Sequence, residues 1–494
     1  MFKLYINLSH FVSFFKKKVY VSNKYYFTVI KMKYAGISLS KISKNADGLT
    51  HGDEPLGLLY TLAMADEAGW ETELFDLSRF SSKSELIKAI YDSNPDIVGF
   101  SVDDLSRNDA LEIAKNLKER RDITTLFGGY HPSACPEIVL KNEVDYVITG
   151  EAEEVLPQLL GSFPQRPTTL ENLAYEEDGR LQLTRKIGRS KRRRVDIRPF
   201  RDEHYLRQKE YTLTFPAPSD QTGVAQLVIN RGCVYACKFC SSAGIYGKRF
   251  SKRNIEDALD EIRELKERDV NLMIINDLDL TLNKEFAERF SQRLIESGLS
   301  ENLYFEALGN TLTTTPKLLE SLYQAGVRKI GYGVESINPQ VLKFINKKVD
   351  QKNLRSLLDV GKKLGILTSS FYQIGYPMET EDSIRRNIQE LTDSGLFFPR
   401  LRLVIATPTS GTPWHDQLKR EFPWWPHEED WDIFDTQHLA YPHAHFSDES
   451  LRSLRDELQL SYYQSDFYRR ELAKFLEEHP ELEKSFVECG WDLK

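Results

Sequence analysis

Apolar and polar residues alternate in a repeating order along the first third of the chain. Short apolar runs, such as 34–40 (YAGISLS) and 96–102 (DIVGFSV), are each followed by an amphipathic stretch. A near-continuous apolar run is typical of a parallel strand covered on both faces, and apolar residues three or four apart are typical of a helix. The pattern over 32–165 therefore predicts a doubly wound, Rossmann-like α/β domain that binds ligands at the carboxyl ends of its strands.

A second strand–helix series begins near residue 222 and runs to about residue 415. Six strand–helix units are too few for an eight-fold closed barrel, so the pattern predicts an open or partial barrel. Residues 416–494 are first aromatic and then helical in pattern, and we expect them to pack on the barrel or on the first domain. The predicted barrel strands are 224–230, 270–277, 303–308, 327–336, 366–375 and 400–406.

Two segments fall outside both series. Residues 1–31 contain nine aromatic residues, six lysines and no acid, without the regions of a signal peptide, and predict a disordered extension. Residues 166–221 predict a basic linker, in which 185–201 contains nine basic residues and one acid. This run is interpreted as a solvated connector, or as a patch for an acidic or phosphorylated substrate or an acidic electron donor.

Composition excludes several classes of protein. The net charge of −8 gives no general attraction to nucleic acid, and five cysteines in 494 residues are too few for a disulfide-stapled secreted protein. No apolar run reaches the roughly 18 residues of a membrane span. A cytoplasmic location and a small-molecule substrate are expected.

Three of the five cysteines, Cys233, Cys237 and Cys240, form a C-x3-C-x2-C cluster directly after the first barrel strand. Structural zinc takes four ligands, and the nearest downstream histidine is distant, at His415. An iron–sulfur cube normally takes four thiolates, so three would leave one iron open to a cofactor or substrate. The spacing favours a 4Fe–4S cluster, with zinc or a disulfide as alternatives.

The cysteine segment CVYACKFC resembles the signature of the radical S-adenosylmethionine (SAM) superfamily. Further blocks at 331–348, 371–388 and 407–418 resemble that superfamily as well. The front domain is similar to the cobalamin-binding domain often fused ahead of this barrel, as in the class B, cobalamin-dependent methylases. The blocks that carry this second resemblance are 54–77, 95–102, 127–140 and 144–160.

The resemblance implies a partial (β/α)6 barrel in which the three cysteines ligate the cluster and the open iron binds SAM. Cleavage of SAM then gives a 5′-deoxyadenosyl radical. Gly375 would allow close approach of the backbone to the cofactor. Relatives tend to have an acidic pair near Asp277, and in this sequence Leu278 interrupts that pair. The implied SAM contacts are Phe239, Glu335, Ser336, Gly375 and Asp277, and the implied cobalamin contacts are Gly128, Gly129, Gly150 and Glu151.

The front domain lacks the D-x-H-x-x-G motif that supplies a histidine to cobalt in other cobalamin proteins. Its only histidines, His51 and His131, lack that context, so the domain either binds cobalamin without a histidine or is a scaffold. With cobalamin, the implied reaction is methylation of an unactivated carbon in a small metabolite, lipid or natural-product precursor. The electron donor would be a flavodoxin or ferredoxin.

Three alternative functions differ in what they require. A cobalamin-independent dehydratase, cyclase or rearrangement enzyme would leave its substrate unmethylated. RNA modification by sulfur insertion needs a second cluster, and Cys135 is the only cysteine in the front domain. An iron–sulfur electron carrier or partner-binding module would need no open iron.

Overall fold

The computed structural model describes residues 18–21, 27–39, 43–44, 50–51, 54–165, 170–183, 197–202, 206, 223–426, 428–483 and 486. In the N-terminal extension, strands β1 (Lys18–Val21) and β2 (Phe27–Ile30) pair antiparallel. This pairing differs from the expected disorder at those residues. The remainder of the predicted extension lies almost entirely outside the described residues.

The first domain follows the predicted strand–helix alternation. Its strands are β3 (Lys33–Ser38), β4 (Ser43–Lys44), β5 (Thr50–His51), β6 (Glu71–Asp76), β7 (Ile97–Ser101), β8 (Thr124–Gly128), β9 (Tyr146–Ile148), β10 (Leu173–Glu177) and β11 (Arg180–Leu183). Its helices are α1 (Leu56–Glu67), α2 (Lys83–Ser93), α3 (Arg107–Arg120), α4 (Tyr130–Ala134), α5 (Pro136–Leu140) and α6 (Val155–Ser162).

Strand order in the first sheet creates a ligand crevice. The sheet runs β11-β10-β9-β8-β7-β3-β6, and strands β9 to β6 in this order are parallel. The strand order reverses between β3 and β7, because β6 lies on one side of β3 and β7 lies on the other. Doubly wound sheets bind ligands at such a switch point. Separate apolar cores lie on the two faces of the sheet.

The first sheet extends beyond the predicted boundary at residue 165. Strands β10 and β11, inside the segment expected to be a linker, form an antiparallel hairpin at the β9 edge. Asp178 and Gly179, at φ 50° and 71°, form its turn. An Asp-Gly pair between strand-like runs is a strong hairpin signal, and the linker prediction overlooked it.

The described end of the basic run pairs with the protein's own acids. Arg201 contacts Glu54 of the first domain and Glu261 of the barrel, and Arg198 contacts Glu264. Arg201 also donates to the Gln226 carbonyl at 2.9 Å, while Glu54 accepts from the Gln226 amide at 2.9 Å. Arg201 and Glu54 thus satisfy the hydrogen-bonding groups at the open edge of the first barrel strand. Arg198 and Arg201 therefore do not form a free basic patch.

The second sheet is a partial barrel of six parallel strands in sequence order, as predicted. Its strands are β12 (Gly223–Leu227), β15 (Val270–Ile275), β16 (Tyr304–Gly309), β17 (Val327–Glu335), β18 (Leu367–Ile374) and β19 (Arg400–Ile405), with a small ladder of β13 (Asn230–Arg231) and β14 (Ser251–Lys252). Its helices are α7 (Ser242–Tyr246), α8 (Ile255–Glu267), α9 (Lys284–Glu296), α10 (Pro316–Gln324), α11 (Pro339–Phe344), α12 (Gln351–Leu364) and α13 (Glu381–Asp393).

The C-terminal segment packs on the barrel and closes its other edge. It contains α14 (Pro413–Glu421), α15 (Asp448–Gln464) and α16 (Asp466–Glu478). Gln459 and Tyr463 of α15 bond to the backbone of Leu401 and Leu403 in β19, which satisfies the edge strand. None of the described helices is both long and apolar enough to cross a bilayer.

Candidate functional site

The three clustered cysteines lie on the loop between β13 and α7, at the carboxyl end of β12. All three are half-buried and unpaired in disulfides. In the described part of the chain, no three Cys, His, Asp or Glu side chains converge on a single metal-ion position. The thiolates of a four-iron cube do not need to converge on one point, because each protein thiolate binds a different iron atom. The donor set therefore fits a three-thiolate 4Fe–4S cluster better than zinc.

The surroundings of the loop raise the pKa of Cys237 and so disfavour a thiolate whose charge no cation balances. The pKa of Cys237 is raised to about 11, mainly by burial; Lys347 opposes this rise, and repulsion from Cys240 and Cys233 adds to it. Lys347 is the neighbouring cation. Burial lowers the pKa of Lys347, but attraction to Glu335 and Cys237 outweighs burial and raises it overall. The pKa of the Cys233 thiol is likewise raised by burial, so these two thiols ionise readily only when a metal takes the place of their protons.

Neighbouring elements fix the cysteine loop at both ends. Oδ1 of Asp277, after β15, accepts the amides of Ile229 and Asn230 at 2.8 and 3.0 Å. The Trp414 amide of α14 donates to the Lys238 carbonyl at 3.1 Å. Burial raises the pKa of Asp277 to about 7, and its Oδ2 has no partner in this structure. Asp277 therefore positions the loop, and a SAM contact by its free oxygen stays a prediction.

Asp279 is a further acid near Cys233, and the sequence analysis did not name it as a candidate. It is buried, accepts two hydrogen bonds from Thr281, and its pKa is raised to about 6 by burial. Leu278, between the two acids, is 36% exposed. The alternation Asp-Leu-Asp in a strand-end segment was the available signal, because it places both acids on the side opposite to the leucine.

Glu335 ends β17 in an unusual conformation. Its φ is +60°, and the β17–β18 register shifts between Gly333 and Glu335. Positive φ is costly for a residue other than glycine, and it concentrates at functional sites. The Glu335 carboxylate binds Lys347 at 3.2 Å and Gln373 at 2.6 Å. The carboxylate lies close enough to Cys237 to act on its pKa, and a polar contact of Glu335 with SAM stays a prediction.

Two other predicted SAM contacts remain predictions. Ser336 is fully buried, and its hydroxyl accepts from the Asn338 amide at 3.1 Å, so it stabilises the turn after β17. Phe239 is half-buried and packs on the barrel core.

The structure shows a packing role for Gly375 in addition to the predicted one. Its φ is +85°, and a Cβ there would lie 2.5 Å from Leu451 Cδ2 of α15. The Gly375 carbonyl accepts from the Tyr441 hydroxyl, and its amide donates to Glu379 at 2.9 Å. Glycine is favoured because the backbone has a positive φ and the C-terminal helix packs against this turn, and a close approach of SAM to Gly375 stays a prediction.

The Glu379 carboxyl gives a testable pH dependence. It is buried, and burial raises its pKa from 4.5 to about 7, so the folded state favours the protonated form. Stability of the wild type therefore falls as the pH rises from about 4.5 to about 7. Glu379→Gln lacks this loss, and its advantage grows with pH to roughly 3 kcal/mol. Thermal midpoints of both proteins at pH 5 and pH 8 measure the difference.

Asp382, exposed at the start of α13, supplies the control for this measurement. Asp382→Asn should shift the midpoint by a similar small amount at both pH values. Parallel pH curves for wild type and Glu379→Gln would show that the buried carboxyl is not the source of the pH dependence.

The crevice of the first sheet has room for a flat ligand. Ser101, at the end of central strand β7, is exposed, and a Cβ built on Gly57 meets only Ser101 Oγ, at 4.0 Å. A Cβ on Gly128 likewise has nothing nearer than 4.0 Å. Gly129 has φ +106°, and its Cβ would lie 2.5 Å from the Val102 carbonyl, so only glycine fits. This open, glycine-lined cradle fits a corrin, and contacts by Gly128 and Gly129 stay predictions.

The other two predicted cobalamin residues lie at the boundary with the cysteine loop. A Cβ on Gly150 would lie 3.2 Å from the Ile245 carbonyl of α7. Glu151 lies 3.7 Å from Arg231, which also binds Glu153 and stacks over Tyr60 at 4.8 Å. Glu151 is thus part of an interdomain ion cluster in this structure, and a corrin contact by this residue stays a prediction.

His131 is buried away from solvent, where its contacts are structural. It is fully buried, its Nδ1 lies 2.7 Å from Asp104, and its ring packs edge-on against Trp431. Asp104 also accepts the Ser410 amide at 2.9 Å. His131 therefore joins the first domain to the barrel and the C-terminal segment. The His51 side chain lies outside what the structure describes.

Comparison with known proteins agrees with this architecture. Residues 51–160 match the family model of the B12 binding domain, and residues 227–391 match that of the Radical SAM superfamily. The chain is similar to an uncharacterized methyltransferase of Pyrococcus horikoshii, with 25% identity over 83% of this chain and 87% of the relative. It is also similar to the hopanoid C-3 methylase of Methylococcus capsulatus, with 24% identity over 79% of this chain and 72% of the relative.

A solved structure shares the fold. The radical SAM methyltransferase TsrM from Kitasatospora setae, solved with cobalamin and a 4Fe–4S cluster bound, superposes with a TM-score of 0.65. The match covers 79% of this chain and 78% of TsrM at 16% identity. The chain therefore combines a B12 binding domain with a radical SAM domain. It is a radical SAM enzyme of the type that carries a cobalamin-binding domain ahead of the barrel, and its cofactors are a 4Fe–4S cluster, SAM and cobalamin.

Proposed function

We propose that this enzyme transfers a methyl group derived from SAM to a carbon atom of a small molecule, with cobalamin as the methyl carrier. When bound, the cluster supplies the electron that cleaves SAM, and cobalamin supplies a cobalt centre that carries methyl groups. Reduced flavodoxin or ferredoxin is the proposed electron source, in an oxygen-poor cytoplasm. The similarity to proteins named as methyltransferases supports this assignment.

One observation carries the proposal: the cradle and the cysteine loop share an interface. Helix α4 begins directly after the Gly128–Gly129 pair, and α7 begins directly after the cysteine loop. These two helices pack against each other. A ligand in the crevice and a ligand on the loop would therefore face a common space, as required if both act on one substrate carbon.

The chain's own residues have three tasks in this reaction. Cys233, Cys237 and Cys240 hold the cluster. Glu335, held by Lys347 and Gln373, is proposed to orient the polar groups of SAM. The buried aromatic cluster beneath the loop, formed by Trp414, Phe344, Tyr376 and Tyr441, excludes water from that side.

The proposal predicts two products from SAM. Anaerobic, reconstituted enzyme with SAM, a reductant and a cell extract as the substrate source should release both 5′-deoxyadenosine and S-adenosylhomocysteine. The second product forms because each methyl group is drawn from a SAM molecule. Purified holoenzyme should also show corrin absorbance. Deoxyadenosine without S-adenosylhomocysteine, together with absent corrin absorbance, would instead favour a cobalamin-independent dehydratase, cyclase or rearrangement enzyme.

A further inference from the structure

The turn after helix α11 is bound to the cysteine loop on both sides of Cys237. The Lys238 amide donates to the Ile345 carbonyl at 2.8 Å, and Nδ2 of Asn346 donates to the Ala236 carbonyl at 2.9 Å. Ala236 and Lys238 are the two neighbours of Cys237 in the sequence. The turn therefore fixes the backbone that carries the Cys237 thiol.

The same turn fixes the start of the next residue, Lys347. Asn346 ends α11 with a φ of +53°, a conformation that asparagine tolerates better than most residues. Its amide donates to the Lys343 carbonyl at 3.3 Å, and the Lys347 amide donates to the Leu342 carbonyl at 3.0 Å. These two bonds form a Schellman motif, so the backbone of Lys347 has one position relative to the cysteine loop.

The Lys347 ammonium is held in place by an ion pair. Its side chain is 17% exposed, and Nζ lies 3.2 Å from Glu335 Oε1. A Cβ on Gly333 would lie 2.8 Å from Glu335 Oε1 and 2.9 Å from Lys347 Nζ, so the pair fills the space above this glycine. Gln373 donates to the other carboxylate oxygen of Glu335 at 2.6 Å. The lysine cation is therefore fixed at the site and does not extend into solvent.

This cation acts on the thiols of the cysteine loop. Burial raises the pKa of Cys237 and of Cys233, and attraction to Lys347 opposes the rise at both thiols. Lys238 is closer to the cysteines in the sequence, but its ammonium is bound to Gln417 Oε1 of α14 at 2.5 Å. Lys347 is thus a fixed positive charge beside the atoms that would hold the cluster.

We propose that Lys347 sets the reduction potential of the cluster, because its charge stabilises the reduced form and favours entry of the electron that cleaves SAM. The step is a one-electron reduction by the proposed flavodoxin or ferredoxin, and no bond forms or breaks in it. The reduced cluster carries one more negative charge, so a cation fixed nearby raises the potential and an anion lowers it. Glu335 therefore opposes Lys347. The inference rests on the proposed function for the place of the cluster, but it needs no methyl transfer.

Redox titration of anaerobic, reconstituted holoenzyme without SAM, followed by the EPR signal of the reduced four-iron cluster, tests the proposal. Lys347→Met should lower the ratio of reduced to oxidised cluster at a fixed potential about tenfold, which is about 59 mV for a one-electron couple. Lys347→Arg keeps the charge and should keep this ratio within about threefold. An unchanged midpoint potential in Lys347→Met would overturn the proposal.

A change of the opposite sign separates charge from damage to the loop. Glu335→Gln removes the opposing charge and should raise the midpoint potential, whereas a loosened loop would not shift the two variants in opposite directions. If Lys347→Met fails to hold iron, Glu335→Gln still decides the question. An upward shift supports the proposal, and an unchanged or lower potential in Glu335→Gln overturns it.

The neighbouring Lys348 supplies the matched control, because it is exposed. Lys348→Met removes the same charge from a position that solvent screens, and it should leave the midpoint potential nearly unchanged. A shift as large as that of Lys347→Met would show a general effect of surface charge and would overturn the proposal.

Two further measurements separate this inference from SAM binding and from the proposed function. If Lys347 were only a contact for SAM, Lys347→Met would weaken SAM in equilibrium dialysis and leave the potential unchanged, which overturns the proposal. The titration involves no turnover, so the expected shifts would support the inference even if S-adenosylhomocysteine never forms. That second result would count against the proposed methyl transfer alone.

Discussion

Replacement of Cys237 by alanine is expected to abolish cleavage of SAM. The cysteine is one of three half-buried thiols on the β13–α7 loop, and its removal leaves two protein ligands for a cluster that needs three. The expected loss in deoxyadenosine formation is at least about a thousandfold, since the electron-transfer centre itself is missing. Iron content and the visible absorbance of reconstituted protein should fall together with the activity.

Cys135 provides a matched control for this experiment. It is also a free cysteine, but it is buried between α4 and α5, outside the loop. Cys135→Ala should keep the iron content and the yield of deoxyadenosine within about twofold, with only a modest fall in stability. If Cys237→Ala kept a SAM-responsive four-iron signal, the loop would not be the cluster site.

Replacement of Arg231 by alanine is expected to separate the two halves of the reaction. Arg231 precedes the cysteine loop, is 9% exposed, and joins the barrel to Glu153 and Tyr60 of the first domain. Its loss leaves the Glu153 carboxylate, which is 10% exposed, without this cation, and this costs about 3–5 kcal/mol. We expect a lower thermal midpoint, and a greater fall in S-adenosylhomocysteine than in deoxyadenosine, because the corrin domain shifts relative to the loop.

An exposed arginine with a similar number of ion pairs tests whether burial causes the large effect expected for Arg231→Ala. Arg293 on α9 contacts Glu256 and Glu296, but its side chain is 43% exposed. Arg293→Ala should cost no more than about 1 kcal/mol and leave the ratio of the two products unchanged. An unchanged product ratio in Arg231→Ala, with iron content intact, would show that this ion cluster does not hold the two domains in register.

Local pattern predicted most of the architecture. The apolar runs gave the strands of both sheets because a strand covered on both faces must be apolar almost throughout, as in β7 and β12. Six units predicted the six-stranded partial barrel. The Asp178–Gly179 hairpin was missed although its signal is local, because the surrounding basic composition was taken as evidence of a linker.

Contacts between distant segments were not accessible from the pattern. The reason for Gly375 depends on Leu451, and the position of His131 depends on Asp104 and Trp431. A glycine or histidine in a sequence shows that a special role is permitted, but its neighbours in space decide which role it has. Arg201, at the end of the basic run, likewise pairs with Glu54 and Glu261, which are far away along the chain.

By itself the sequence determined the donor atoms of the site and the two α/β units, because the spacing of three cysteines and the period of apolar residues are local properties. Tertiary structure decided how these parts meet: helix α4 packs against α7, and Arg231 lies between the two domains. The physical reason is that burial and electrostatic pairing depend on distance in space. Strand register and domain packing set those distances, and neither is fixed by neighbours along the chain.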